Sequence, residues 1–200
     1  MKKRLLLILL SLILLTIALV FRIARYYSLS CDIYANTGIK GEVYNRANET
    51  IIEILDNYRF EDIVNVVYTT NGDISDIKVN TAKLNTFATT ASAKIYSNIN
   101  ESSNAFGLPI GNVLGLKYLS GKGPKIPIRV YPITAVTHNI YSELAESGIN
   151  QTLHRVIIEF KAEINCVAPF KSNKIEFNIK LIMAETLIVG KIPHLLLPTS

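Results

Sequence analysis

The feature that most limits what this chain can become is the apolar run from Leu5 to Phe21. It is interrupted only by Ser11 and Thr16, preceded by Lys2, Lys3 and Arg4, and followed by Arg22 and Arg25. A helix needs about 20 apolar residues to cross ~30 Å of hydrocarbon. The run is at the short end of that requirement, and Ile23 and Ala24 extend it if Arg22 snorkels to the headgroups. The sequence therefore predicts one transmembrane span over residues 5–25. A cleaved signal peptide requires a small-x-small site soon after the apolar core, whereas Arg22, Arg25, Tyr26 and Tyr27 follow here. The expectation is an uncleaved signal-anchor. Lipoprotein processing at Cys31 fits poorly, because Leu29 stands one position too close to the cysteine and a charged segment separates it from the run.

Three cationic side chains and the amino terminus precede the span and two cations follow it. The positive-inside rule then leaves residues 1–4 as a short cytoplasmic tail and places residues 26–200 outside the cytoplasm as one α+β domain. The formal charge of +5 originates beside the span. Five of the 21 Lys and Arg residues flank it and no acidic residue precedes Asp32, so residues 32–200 carry 16 basic and 16 acidic groups. That balance gives no basic stripe for displacing counterions, and nucleic acid is not an expected partner. Cys31 and Cys166 sit far apart in unlike settings; Cys166 falls on the apolar face of a predicted strand and reads as a buried free thiol.

Beyond the span, Val43, Ala47, Ile51, Ile54, Leu55 and Tyr58 recur at steps of three and four. They predict an amphipathic helix over about 40–58 that packs on a sheet or leads away from the membrane. Next, IVNVVYTT and DISDIKV flank Asn71-Gly72, a pair that tolerates the positive φ angles of a tight hairpin. Asn80 or Thr81 then caps a second helix with the apolar face Leu84, Ala88, Ala91, Ile95 and Ile99. Its middle is rich in Ala, Ser and Thr, which allows close packing or leaves a groove. Glycines and prolines between Gly107 and Pro124 predict a loop with short extended pieces.

KIPIRVYPI alternates, but Pro127 and Pro132 suggest an edge strand or one with bulges. Residues 134–144 are ambiguous between strand and short helix. Val156, Ile158, Phe160, Ala162, Ile164 and Cys166 then alternate with a polar set, and after APFKSNK the residues Ile175, Phe177, Ile179, Leu181 and Met183 do the same. The expected fold is α+β: an N-terminal transmembrane helix, then an antiparallel sheet packed with two amphipathic helices.

The polar cluster AESGINQTLH raises the question of catalysis. Gly148 lies between two extended segments, so a hairpin loop through 146–150 accounts for Asn150 and Gln151. A catalytic His154 would need an orienting carboxylate or a nucleophile that the sequence does not place there. His138, His154 and His194 form no metal-ligand spacing with Cys166 or a carboxylate, and no metal or cofactor is expected. Glu159 and Glu163, flanked by Lys161, read as a solvated strand face rather than an acid–base pair. GLKYLSGKG has five residues where a phosphate loop has four between its glycines, and Gly123 replaces the magnesium-binding hydroxyl. The tripeptides at Asn48, Asn100 and Asn150 match the glycosylation acceptor pattern, which matters only in a eukaryotic secretory pathway.

The stretches LPIGNVLGLKYLSGKGPKIPIRVYP, SGINQTLHRVIIEF and AETLIVGKIP, in that order behind the span and the helix near Asn45, resemble the sporulation protein YunB family of endospore-forming bacteria. The resemblance implies a single-pass membrane protein made in the mother cell and needed for proper spore formation. It brings no enzymatic activity and no catalytic residue: Gly148, Ile149, Asn150, Gln151, Thr152 and His154 enter only as a family-like motif. The implied partners are the lipid bilayer and other sporulation or envelope proteins. Two other readings stand beside a non-enzymatic assembly factor. An ectodomain could bind a lipid or other apolar ligand between its strands and the Ala-rich helix, and a hydrolase reading would rest on His154.

Overall fold

A computed structural model of the chain describes residues 2–68, 70, 74–115, 117–148 and 151–189. Helix α1 (Lys2–Tyr34) passes through one π-helical turn (Ala35–Ile39) into α2 (Lys40–Leu55). There follow α3 (Phe60–Ile63), β1 (Val64–Tyr68), β2 (Ile74–Val79), α4 (Thr81–Glu101), β3 (Phe106–Pro109), α5 (Ile110–Val113) and a 3₁₀ turn at Lys117–Leu119. Four strands close the order: β4 (Lys125–Pro132), β5 (Thr137–Gly148), β6 (Gln151–Ala168) and β7 (Lys171–Val189). The fold is α+β with an antiparallel sheet, as the alternating patterns predict.

The helical backbone thus continues through 26–39, where the sequence gives no periodicity. Asn36 and Thr37 ordinarily favour turns because their side chains compete for backbone groups. Here they do so inside the helix: the Asn36 amide donates to the Asp32 carbonyl at 2.9 Å and the Thr37 hydroxyl to that of Ile33 at 2.7 Å. The π turn absorbs the irregularity. Gly38 leaves room for the Tyr34 ring, which would have to shift from a Cβ only 2.8 Å away.

The chain groups into two compact units. The first comprises Met1–Asn45, Asn98–Ile133 and Glu163–Glu176. In it β3 pairs with Lys125–Ile128 of β4, and Arg129–Pro132 of β4 pairs with Ile164–Val167 of β6. Each half of β4 thereby has its recorded partner on a different strand, and Pro127, lacking an amide hydrogen, lies opposite Gly107. Ile39, Leu108, Val130 and Ile164 are buried in this unit. The hairpin between β6 and β7 turns on Pro169 and Phe170 alone, tighter than the APFKSNK turn expected, and Phe170 has φ +62°.

The second unit comprises Arg46–Ser97, Thr134–Ala162 and Phe177–Ser200. Strands β1 and β2 pair from Val64↔Val79 to Tyr68↔Ile74; the Asn71-Gly72 turn between them lies outside the described residues. The Asn80 side chain caps α4 by accepting from the Lys83 amide at 3.1 Å. Leu84, Ala88, Ala91 and Ile95 are buried, as is Phe87, whose ring meets Tyr58 edge-on with centroids 5.3 Å apart. The small residues of α4 therefore serve close packing. Most of the segment 134–144, ambiguous in sequence, is strand: β5 runs from Thr137 to Gly148 and pairs with β6 from Thr137↔Lys161 to Gly148↔Gln151.

The polar face of β6 differs from expectation. Ile157 is buried and Glu159 is only 8% exposed, not solvated. Strand β6 pairs with both β5 and β7, which brings Asn178 of β7 within reach of Glu159. The Glu159 carboxylate accepts from Lys161 at 2.9 Å and from the Asn178 amide at 3.0 Å. Those two hydrogen bonds hold its carboxyl below the usual glutamate range. Arg155 pairs with Glu185 at 2.5 Å on the same two strands.

A depressed carboxyl adds stability that is fully present above the unfolded pKa of about 4.3 and lost as pH falls through the folded value. Glu159→Gln is therefore expected to lower the melting temperature at pH 7. The gap from the natural chain should narrow steadily below about pH 4.3 in thermal scans across pH.

Candidate functional site

Two loops of the first unit close on one helical stretch, from Tyr26 in α1 to Thr37 in the π-helical turn. The first is the β3–β4 connection. Its backbone is drawn in by Ile110, whose amide donates to the Pro124 carbonyl at 3.0 Å, and by Gly111, whose amide donates to that of Lys122 at 3.0 Å. A Cβ on Gly111 would lie 1.7 Å from the Leu119 carbonyl oxygen, so only glycine fits. Asn112 organises the turn: its Oδ1 accepts from the Gly121 amide at 2.7 Å and the Ser120 hydroxyl at 3.3 Å, while its carbonyl accepts from the Ser30 hydroxyl at 3.0 Å. Gly115, at φ +68°, fits against the Tyr26 ring, 2.9 Å from where its Cβ would be. The stretch that the sequence presents as a loop is thus a fixed collar on the helix.

The second loop is the β6–β7 turn. The Tyr27 hydroxyl donates to the Pro169 carbonyl at 2.5 Å. Lys171 Nζ lies 3.1 Å from Asp32 Oδ1 and donates to the Ser28 hydroxyl at 3.0 Å. Between these contacts Cys31 is buried and free, and burial raises its thiol pKa. Burial first, then the hydrogen bond with Cys31, pushes the Tyr27 hydroxyl up to about 12, so it stays protonated as a donor at neutral pH. Cys166 is likewise free and buried, and burial pushes its thiol up to about 12.

A cleft of about 380 Å³ lies between α1 and the first loop, bordered by Ser30, Ile33, Tyr34, Thr37, Asn112 and Ser120 among others. The Ser30, Thr37 and Ser120 hydroxyls each donate to a neighbouring carbonyl or amide oxygen. Among the described residues no carboxylate, imidazole or thiol borders the cleft. Its lining offers hydrogen-bonding hydroxyls and amides beside apolar patches.

The polar cluster that the sequence singles out lies in the second unit. Gly148 and Gln151 face each other across the β5–β6 hairpin, with a register slip between Glu146 and Gly148, and Thr152 and His154 lie opposite Glu146 and Leu144. Glu146–Gly148 belong to the strand and not to the loop; Ile149 and Asn150 lie outside the described residues. A different histidine finds a hydroxyl: Ser92 Oγ lies 3.1 Å from His138 Nδ1. No sequence spacing signals that pair, because it forms between a helix and a strand. Ser92 is only 7% exposed, so the contact satisfies a buried hydroxyl. Among the described residues no three His, Cys, Asp or Glu side chains converge as metal ligands would.

Residues 105–195 match the family model for sporulation protein YunB. That segment contains all three stretches on which the resemblance rests, together with Gly111, Asn112, Pro169 and Lys171 of the two loops. Sporulation protein YunB of Bacillus subtilis (strain 168) is 24% identical over 161 residues, 70% of this chain. The chain spans 63% of the length of that relative. No solved structure matches it.

Burial and raised pKa values make both thiols poor nucleophiles. In the folded chain at pH 8, Cys31 and Cys166 are expected to react slowly with a disulfide-exchange reagent. Both should titrate fully after denaturation, with no requirement for prior reduction.

Proposed function

We propose that this chain is a membrane-anchored, non-enzymatic sporulation protein. Residues 1–4 lie in the cytoplasm, residues 5–25 are an uncleaved anchor, and residues 26–200 fold outside the cytoplasm. There they contribute to spore envelope or coat assembly by contacting other proteins. The observation that carries the reading is the match of residues 105–195 to the YunB family, to which the relative from Bacillus subtilis adds. It supports action in sporulation, and by the same resemblance a place in mother-cell membranes.

Anchoring is supported by an N-terminal helix long and apolar enough to cross a bilayer, with its apolar side chains from Leu5 to Phe21 largely exposed. Exposed leucines in series are unfavourable in water and favourable in lipid. Contact rather than catalysis is supported by the cleft beside α1, whose polar groups are hydroxyls and amides.

Deleting the coding sequence from the source organism is expected to lower the yield of heat-resistant spores. The full chain should restore that yield and residues 26–200 made without the anchor should not. Unchanged spore yield and resistance in the deletion strain would overturn the reading.

A further inference from the structure

Phe170 is the residue the fold explains least. It occupies the β6–β7 turn at φ +62°, a left-handed conformation that bulky side chains rarely adopt and that glycine or asparagine takes readily. The residue is fully exposed, at 105%, so packing among the described residues does little to offset that strain.

The position of the turn along α1 supplies a reason. At ~1.5 Å per residue, about 20 residues from Leu5 bring the helix across the hydrocarbon near Ala24. Tyr27 follows within a turn. Helical aromatic side chains lean back toward the helix N-terminus, so the Tyr27 hydroxyl, and the Pro169 carbonyl bonded to it at 2.5 Å, lie level with that boundary. Lys171 fastens the other side of the turn to Ser28 and Asp32. The other loop meets the helix at the same level, with Gly115 against Tyr26, and carries Tyr118 at 90% exposure beside the partly exposed Leu114. Arg22, stacked over Tyr26 at 5.8 Å, and Arg25 supply cations for phosphate headgroups.

We infer that the β6–β7 turn is a second membrane contact, in which Phe170, flanked by the loop bearing Tyr118, enters the headgroup–acyl boundary of the bilayer that α1 crosses. The partner is the phospholipid surface itself. An aromatic ring fits there, where apolar and polar surroundings meet. The inference rests on the membrane anchoring proposed above.

The chain contains no tryptophan, so single substitutions report position directly. The full chain carrying Phe170→Trp or, separately, Leu15→Trp is reconstituted into phosphatidylethanolamine–phosphatidylglycerol vesicles. Their lipids are brominated either near the glycerol end or near the methyl end of the acyl chains. Phe170→Trp is expected to lose most of its emission with shallow bromine, to lose little with deep bromine, and to be shielded from aqueous iodide. Leu15→Trp should be quenched most by deep bromine. If Leu15→Trp behaves so while Phe170→Trp stays open to iodide and indifferent to bromine, the membrane contact is overturned and the anchor stands. If neither residue is quenched by bromine, the anchor fails and the contact with it. A third chain, Phe170→Asn with Tyr118→Trp, separates insertion from folding. The relaxed turn should leave the melting temperature unchanged or raised, while shallow quenching at Tyr118→Trp falls; quenching that persists undiminished counts against the role of Phe170.

Discussion

The first compact unit depends on side-chain contacts that tie α1 to two loops remote from it in sequence. Its segments come from three stretches of chain, and α1 lies outside the strand ladder that joins the other two. The Tyr27–Pro169 hydrogen bond, the Ser30–Asn112 bond and the Lys171–Asp32 pair make the connection, along with buried Cys31, Ala35 and Ile39. A neutral hydrogen bond contributes about 1 kcal/mol net. The ion pair is partly exposed to solvent and adds less than its charges suggest. Burial of a large side chain such as Ile39 adds roughly 1.5–3 kcal/mol, and the polar contacts fix where along the helix the loops meet it.

How much of this was legible in the sequence follows from the range of each interaction. Alternation at period two identified β6 and β7, and steps of three and four gave the buried faces Val43–Ala47–Ile51–Ile54 and Leu84–Ala88–Ala91–Ile95, because both depend on neighbours along one element. The join at 35–39 was hidden, since Asn36, Thr37 and Gly38 favour turns locally, while burial of Ala35 and Ile39 depends on packing that no local pattern announces. Glu159 was misread for a similar reason. Its residue type says surface, whereas its place between flanking strands says interior, and Lys161 and Asn178 make the burial affordable.

The candidate sites divide the same way. GINQTLH stood out because it is polar between two alternating runs, and such clusters mark where a hairpin reverses as readily as they mark chemistry. Ser92 and His138 carried no signal, being separated by 46 residues and joined only by tertiary packing. The collar around Asn112 was visible as glycines and prolines, but those residues announce an irregular backbone without saying what it wraps. That it closes on α1 depends on Ser30 and Tyr26, one polar and one aromatic residue in a segment without periodicity.

Among the described residues, positive φ angles otherwise fall on Gly115, Gly121, Gly123 and Gly148, where the absence of a Cβ removes the steric cost. Phe170 is the one departure. The sequence agrees with its backbone at four such positions and disagrees at a fifth, which carries a fully exposed aromatic residue. Disagreements of this kind concentrate where a protein meets something outside itself. At the turn held by Tyr27, the first unit presents aromatic surface beside the end of an apolar helix, so the same packing that attaches α1 to the loops also sets the depth at which that ring is held.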